Sequence, residues 1–141
     1  MCLHNLFYTT IYFLCTGNSC RSQIAEGYGH VFLKDWEVRS AGIERHGLNP
    51  HAVTVMAEDG IDISAQKSEL IDMTYFNDCD LIITLCGDAL DKCPMIPKSV
   101  SHEHWDLQDP ARVVGTEADI LTEFRKTRDL IKEQVQNLSN I

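Results

Sequence analysis

The stretch TTIYFLCTGNSCRSQIAEGYGHVF, Thr9 to Phe32, decides the fold. Thr9 to Leu14 is a β-branched and aromatic run bounded by a Gly-containing loop, and it reads as a fully buried strand. From Ser22 to about Phe32 the chain reads as a helix, with Ile24, Ala25, Tyr28, Val31 and Phe32 near helical spacing despite Gly27 and Gly29. Between them lies Cys15-Thr16-Gly17-Asn18-Ser19-Cys20-Arg21-Ser22. A loop joining a strand to a helix N-terminus turns several backbone N–H groups toward one point, where the helix dipole adds positive charge.

Downstream the alternation continues. Trp36 to Ala41 reads as a second strand, and Asn49-Pro50 as an N-cap and first residue of a helix ending near Asp59, with Gly60 as its stop. Leu81 to Leu85 is a short buried strand ending at Cys86, and Val100 to Trp105 an alternating one. Asp109-Pro110 marks a loop, and from Thr116 to about Leu138 a helix places Ile120, Phe124, Ile131, Val135 and Leu138 on one face. Strands alternating with helices imply an α/β fold with a parallel sheet, which binds ligands beyond the carboxyl ends of its strands. Cys15, Cys86 and the Asp109 loop each follow a strand, so they can converge on one rim.

The 141 residues suit one domain, 1–141, whose residues 1–8 read as an N-terminal extension carrying Cys2. No run approaches the roughly 20 apolar residues of a membrane span. The apolar start has no Lys or Arg before Arg21, which argues against an export signal and for the cytoplasm. Six cysteines in such a chain are expected to be reduced and to serve catalysis rather than structure. No C-x2-C pair occurs, and the two imidazoles of His102-Glu103-His104 lack a third ligand, so no metal is assigned. A net charge of -9 excludes nucleic acid and anionic membranes as partners. Any anion must be held by local donors, of which Arg21, with its planar fork, is the obvious one. Gly17 permits close approach, the Ser22 hydroxyl adds a donor, and the same field favours a thiolate at Cys15.

Cys15 to Ser22, with Asp109-Pro110 far downstream, resembles the signature of the low-molecular-weight protein tyrosine phosphatase fold. More narrowly, CTGNSCRSQ, SAGIE with HGLNP, and LCGDALDKCP followed by HW and DP resemble the thioredoxin-coupled arsenate reductases. The resemblance implies a four-stranded parallel sheet flanked by helices in a single domain, with Cys15 as nucleophile, Arg21 as anion ligand and Asp109 as general acid. Thr16, Gly17, Asn18, Ser19, Cys20, Arg21 and Ser22 would bind the substrate. Cys20 and Cys79 read as packing or spectator thiols.

If Gly87 to Lys92 is helical, Cys86 and Cys93 stand two turns apart, about 10.5 Å by helical rise, beyond the roughly 7 Å that a disulfide spans. Oxidation would then unwind the segment. As in the family it resembles, Cys15 would attack arsenate, Cys86 would attack Cys15 as arsenite leaves, and Cys93 would resolve the transient Cys15–Cys86 bond into Cys86–Cys93, which thioredoxin resets. No tightly bound cofactor is implied, and a monomer is expected. Several such reductases bind potassium beside the loop; Asn18, Glu26 and Ser40 keep matching ligand types, whereas Lys67 and Glu69 depart from the usual Thr and Asp. The Lys67 ammonium is expected to substitute for the cation, pairing with Glu26 or Glu69. Two rival functions use parts of the same set: a phosphatase needing only Cys15, Arg21 and Asp109, and a non-catalytic redox sensor built on Cys86 and Cys93.

Overall fold

The computed structural model describes residues 10–139, so the expected N-terminal extension and Cys2 lie outside the described residues. Four parallel strands, β1 (Thr10–Cys15), β2 (Glu37–Gly42), β3 (Leu81–Thr84) and β4 (Ser101–His104), form one sheet in the order β2-β1-β3-β4. β1 and β3 are central, and Ile11 to Leu14 and Ile82 and Ile83 are fully buried, as aliphatic strands covered on both faces must be. Five helices surround them: α1 (Arg21–Phe32), α2 (Pro50–Glu58), α3 (Met73–Asp78), α4 (Gly87–Lys92) and α5 (Glu117–Leu138).

Local chemistry sets the helix starts. Asn49 caps α2 by accepting from the His51 N–H, with Pro50 in the first position as expected. Thr116 and Asp119 form a reciprocal capping box on α5, whose buried face is Phe124, Thr127, Ile131, Val135 and Leu138. Ile120, expected on that face, is only partly buried. α3 was not expected: it is six residues long, starts at the Asp72 cap and buries only Phe76. α1, α2 and α5 pack against one another, and α4 touches β1 and β3. Among the described residues no helix is long and apolar enough to cross a membrane.

The register brings the functional residues together. Leu14 pairs with Thr84 across β1 and β3, and the Leu85 N–H donates to Leu14 O at 2.8 Å. Cys15 and Cys86 therefore leave neighbouring strands at the same sheet edge. Thr84 pairs in turn with His104, which delivers the Asp109 turn to that edge.

Candidate active site

The loop from Cys15 to Cys20 is held by its carbonyls. Cys15 O accepts from the Ile43 N–H, Thr16 O from Glu44, Gly17 O from His46, Ser19 O from Asn49 and Cys20 O from Ile24, at 2.8 to 3.3 Å. Asn18 O accepts from Gln23 Nε2 at 3.0 Å, and Gly17 O also from the Ser68 hydroxyl at 2.9 Å. With the carbonyls held outward, the loop N–H groups are left to face the cavity, as in other anion-binding nests. Asn18 adopts φ 48°, a conformation Asn tolerates, and its carboxamide locks the turn by accepting from Gln23 Nε2 and the Glu69 N–H.

Asn18 also orients the nucleophile. Its Nδ2 donates to Ser22 Oγ at 2.7 Å and to Ser40 Oγ at 2.9 Å. Ser22 Oγ, already an acceptor, is left to donate its hydrogen to Cys15 Sγ at 2.8 Å, which fixes the direction of the sulfur. Arg21, 7% exposed, donates from Nη1 to Leu107 O at 2.9 Å and faces Asp109 from Nη2 at 3.7 Å. Its Nε is buried without any acceptor in the protein. A buried charged donor left unpaired costs on the order of 1–3 kcal/mol or more, and an oxyanion in the loop supplies what it lacks.

Asp109 caps a single 3-10 turn, Pro110–Arg112, with Oδ1 accepting from the Ala111 N–H at 3.0 Å. Oδ2 faces Arg21 and, at 3.8 Å, Arg112. Cys20 Sγ donates to Oδ1 at 3.7 Å. Burial, and then the Asp109 charge, push the Cys20 thiol up to about 12, so it stays protonated. Cys79 is likewise pushed up, by burial, to about 11, and its Sγ donates to Phe76 O.

Cys86 is the N-cap of α4 and Cys93 its C-cap. The Cys86 sulfur accepts from the Ala89 N–H at 3.4 Å and lies 3.1 Å from the Thr16 hydroxyl, beside Cys15 in sequence. Burial pushes the Cys93 thiol up. Cys15, Cys20, Cys79, Cys86 and Cys93 are thiols, not disulfides. Cys15, Thr16, Gly17, Ser19, Cys20, Arg21, Cys86 and Asp109 all line one open cavity of about 670 Å³. Asn18 and Ser22 sit behind the loop, supporting it rather than lining the cavity.

One sequence expectation needs correction. Lys67 pairs with neither Glu26 nor Glu69: Glu26 accepts from the Ser40 hydroxyl at 2.6 Å and pairs with His30 at 3.1 Å. Asn18, Ser40 and Glu26 thus form a hydrogen-bonded chain that ends on the Glu26 carboxylate. Gln23 Nε2 donates to Asn18 Oδ1 and to Lys67 O, and Gln66 Nε2 donates to Gln23 Oε1. His102 Nε2 and His104 Nδ1 both converge on the Thr84 hydroxyl, at 3.2 and 2.7 Å. Among the described residues no group of three or more His, Cys, Asp or Glu could hold a metal ion. The segment Gly42 to Asn49, which supplies most of the loop's carbonyl partners and puts His46 in the cavity wall, entered the sequence reading only through the SAGIE and HGLNP motifs and the Asn49-Pro50 cap, with no role given to His46.

The chain matches the family of low molecular weight phosphotyrosine protein phosphatases over residues 10–140. It is 56% identical over 131 residues to an arsenate reductase of Bacillus licheniformis, covering 92% of this chain and 94% of that one. An arsenate reductase of Bacillus subtilis is 56% identical over 130 residues, with the same shares covered. Among solved structures, an arsenate reductase in a phosphate-binding state superposes with a TM-score of 0.76 at 35% identity, covering 94% of this chain and 97% of the other. A tyrosine phosphatase of Erwinia amylovora superposes with a TM-score of 0.81 at 20% identity over 94% and 92% of the two chains, a likeness of fold alone.

Proposed function

We infer that this chain, which belongs to the low molecular weight phosphotyrosine protein phosphatase family, is an arsenate reductase. The observation that carries the reading is the presence of Cys86 in the wall of the Cys15 cavity, at one end of a helix whose other end is Cys93. A phosphoryl-transfer site needs one thiol; a two-electron reduction needs two that can meet.

The Cys15 thiolate attacks the arsenic of arsenate held by the loop N–H groups and Arg21. Asp109 protonates the departing oxygen, which leaves as water. Cys86 then attacks Cys15 Sγ; the As–S bond breaks, its electron pair stays on arsenic, and arsenite departs. Cys93 attacks Cys86 and restores the Cys15 thiol. Reduced thioredoxin cleaves the Cys86–Cys93 disulfide in the cytoplasm, and the enzyme works as a monomer, with no tightly bound cofactor.

The test is arsenite release from arsenate with thioredoxin, its reductase and NADPH. Wild type should turn over steadily, while Cys86→Ser and Cys93→Ser lose turnover yet keep hydrolysis of an aryl phosphate, which needs only Cys15, Arg21 and Asp109. Equal arsenite turnover in the two variants would remove the relay, and none in the wild type would leave a phosphatase.

A further inference from the structure

His46 lines the same cavity, and no step above uses it. Its ring lies over the anion loop: a Cβ built on Gly17 would meet Nδ1 at 2.1 Å. Nε2 donates to Glu44 Oε1 at 2.6 Å, and the His46 backbone N–H is fixed on Gly17 O at 2.9 Å. The ring is 52% exposed, so water can exchange its proton. A carboxylate on one nitrogen and the substrate loop beside the other suit an imidazole to hold a proton and pass it on.

The reaction has a demand for such a proton. In the first half, the arsenate dianion, the Cys15 thiolate and the Asp109 proton give a Cys15 arseno-thiol dianion and water; an As–S bond forms and an As–O bond breaks. In the second half, the Cys86 sulfur forms the S–S bond, the As–S bond breaks, and As(V) becomes As(III) as the two sulfurs are oxidised. Arsenic then leaves with three oxygens, and departure as neutral arsenous acid takes three protons. The Cys86 thiol yields one, two more come from outside the thiols, and Asp109 has spent its own.

We propose that His46, held by Glu44, is a catalytic proton donor to the departing arsenite, a role that rests on the arsenate reductase reading. Water at the cavity mouth supplies the remaining proton and recharges the ring. The other titratable or charged groups around the cavity are Cys15, Cys20 and Arg21 on the loop side, Cys86 and Asp91 at α4, and Asp109 and Arg112 opposite. Cys20 is held protonated, and Arg21 and Asp109 are engaged with each other.

The experiment is a single turnover of reduced enzyme with arsenate and no thioredoxin, following arsenite release and Cys86–Cys93 formation against pH. His46→Gln keeps the bulk and hydrogen bonding but not the titratable proton. It should slow arsenite release about 100-fold, the low end for general acid catalysis, and lose the fall in release that the wild type shows as pH rises. Competitive inhibition by phosphate should stay within about twofold, as for a group acting after binding. Free imidazole should restore release to His46→Ala. Unchanged release and pH profile in His46→Gln would overturn the role. So would slowed release accompanied by weakened phosphate inhibition and no imidazole rescue, the signature of a ring that only braces the loop. Absence of arsenite from the wild type would instead sink the underlying reductase reading.

Discussion

At Gly42 a Cβ would lie 2.4 Å from Glu44 O, 2.7 Å from the Asn18 N and 2.8 Å from Thr16 O, all backbone atoms of the cradle and its brace. A side chain could yield; these atoms cannot without moving the anion loop. Gly42→Ala is therefore expected to weaken inhibition by phosphate at least about tenfold and to cost about 1–3 kcal/mol of stability, as overpacking does, read from inhibition and a urea midpoint. Unchanged phosphate inhibition would refute this account of the loop. Gly42 stood in the SAGIE motif, which marked a family likeness without giving this reason for it. Cys15 and Arg21 could be placed at one cavity from a short motif between a strand and a helix, and Asp109 only through the family resemblance, since Asp109-Pro110 by itself reads as a loop. Gly42 and His46 act through a segment that crosses the loop from far along the chain, and crossing loops leave no periodic trace.

The strands and the long helices were legible within a few residues because burial imposes a period on them. α3 was not, since two turns with one buried side chain have no period to read, and the alternation of elements gives no strand order. α4 was legible only as a condition on two cysteines, and its helical form has a consequence. Six residues are far below the roughly 12–15 that an isolated helix needs, and α4 makes its contacts with β1 and β3. Such a helix can unwind to bring Cys93 to Cys86, across the two turns that separate them. Stabilising it should slow that step. Gly87 is its first residue, and a Cβ there would meet nothing within 4 Å. Gly87→Ala should favour the helix by about 0.5–1 kcal/mol, slowing transfer from Cys15–Cys86 to Cys86–Cys93 by about two- to fivefold. Rapid quenching with mass analysis of the disulfides resolves the step; transfer as fast as in wild type would mean that unwinding does not limit it.

Across the whole molecule, the acidic end of α2 ties the helices together. Arg125 clasps Glu58 through Nε and Nη2 at 2.9 and 2.8 Å, and Arg128 reaches both Val55 O and Glu58. Asp59 accepts from the Tyr28 hydroxyl of α1 at 2.7 Å and pairs with Lys132 of α5 at 3.0 Å. Hydrogen bonds from Arg125 hold Glu58 below the usual carboxylate range, and those from Tyr28 and then Lys132 do the same for Asp59. Carboxyls depressed on folding stabilise the folded state above their unfolded pKa of about 4, and that stability is lost as pH falls through the lower folded values. The net charge acts in the opposite direction over another range: from -9 at pH 7 it approaches zero near the pI of 5.0, which relieves self-repulsion. Melting temperature should therefore hold or rise from pH 7 to about 5 and fall below about 4. Asp59→Asn should melt lower than wild type at pH 5 to 7, and the gap should close as acid protonates the wild-type carboxylate. Parallel curves down to about pH 2.5 would show that this carboxylate stays charged or adds nothing to the tie, and that the acid limb belongs to other groups.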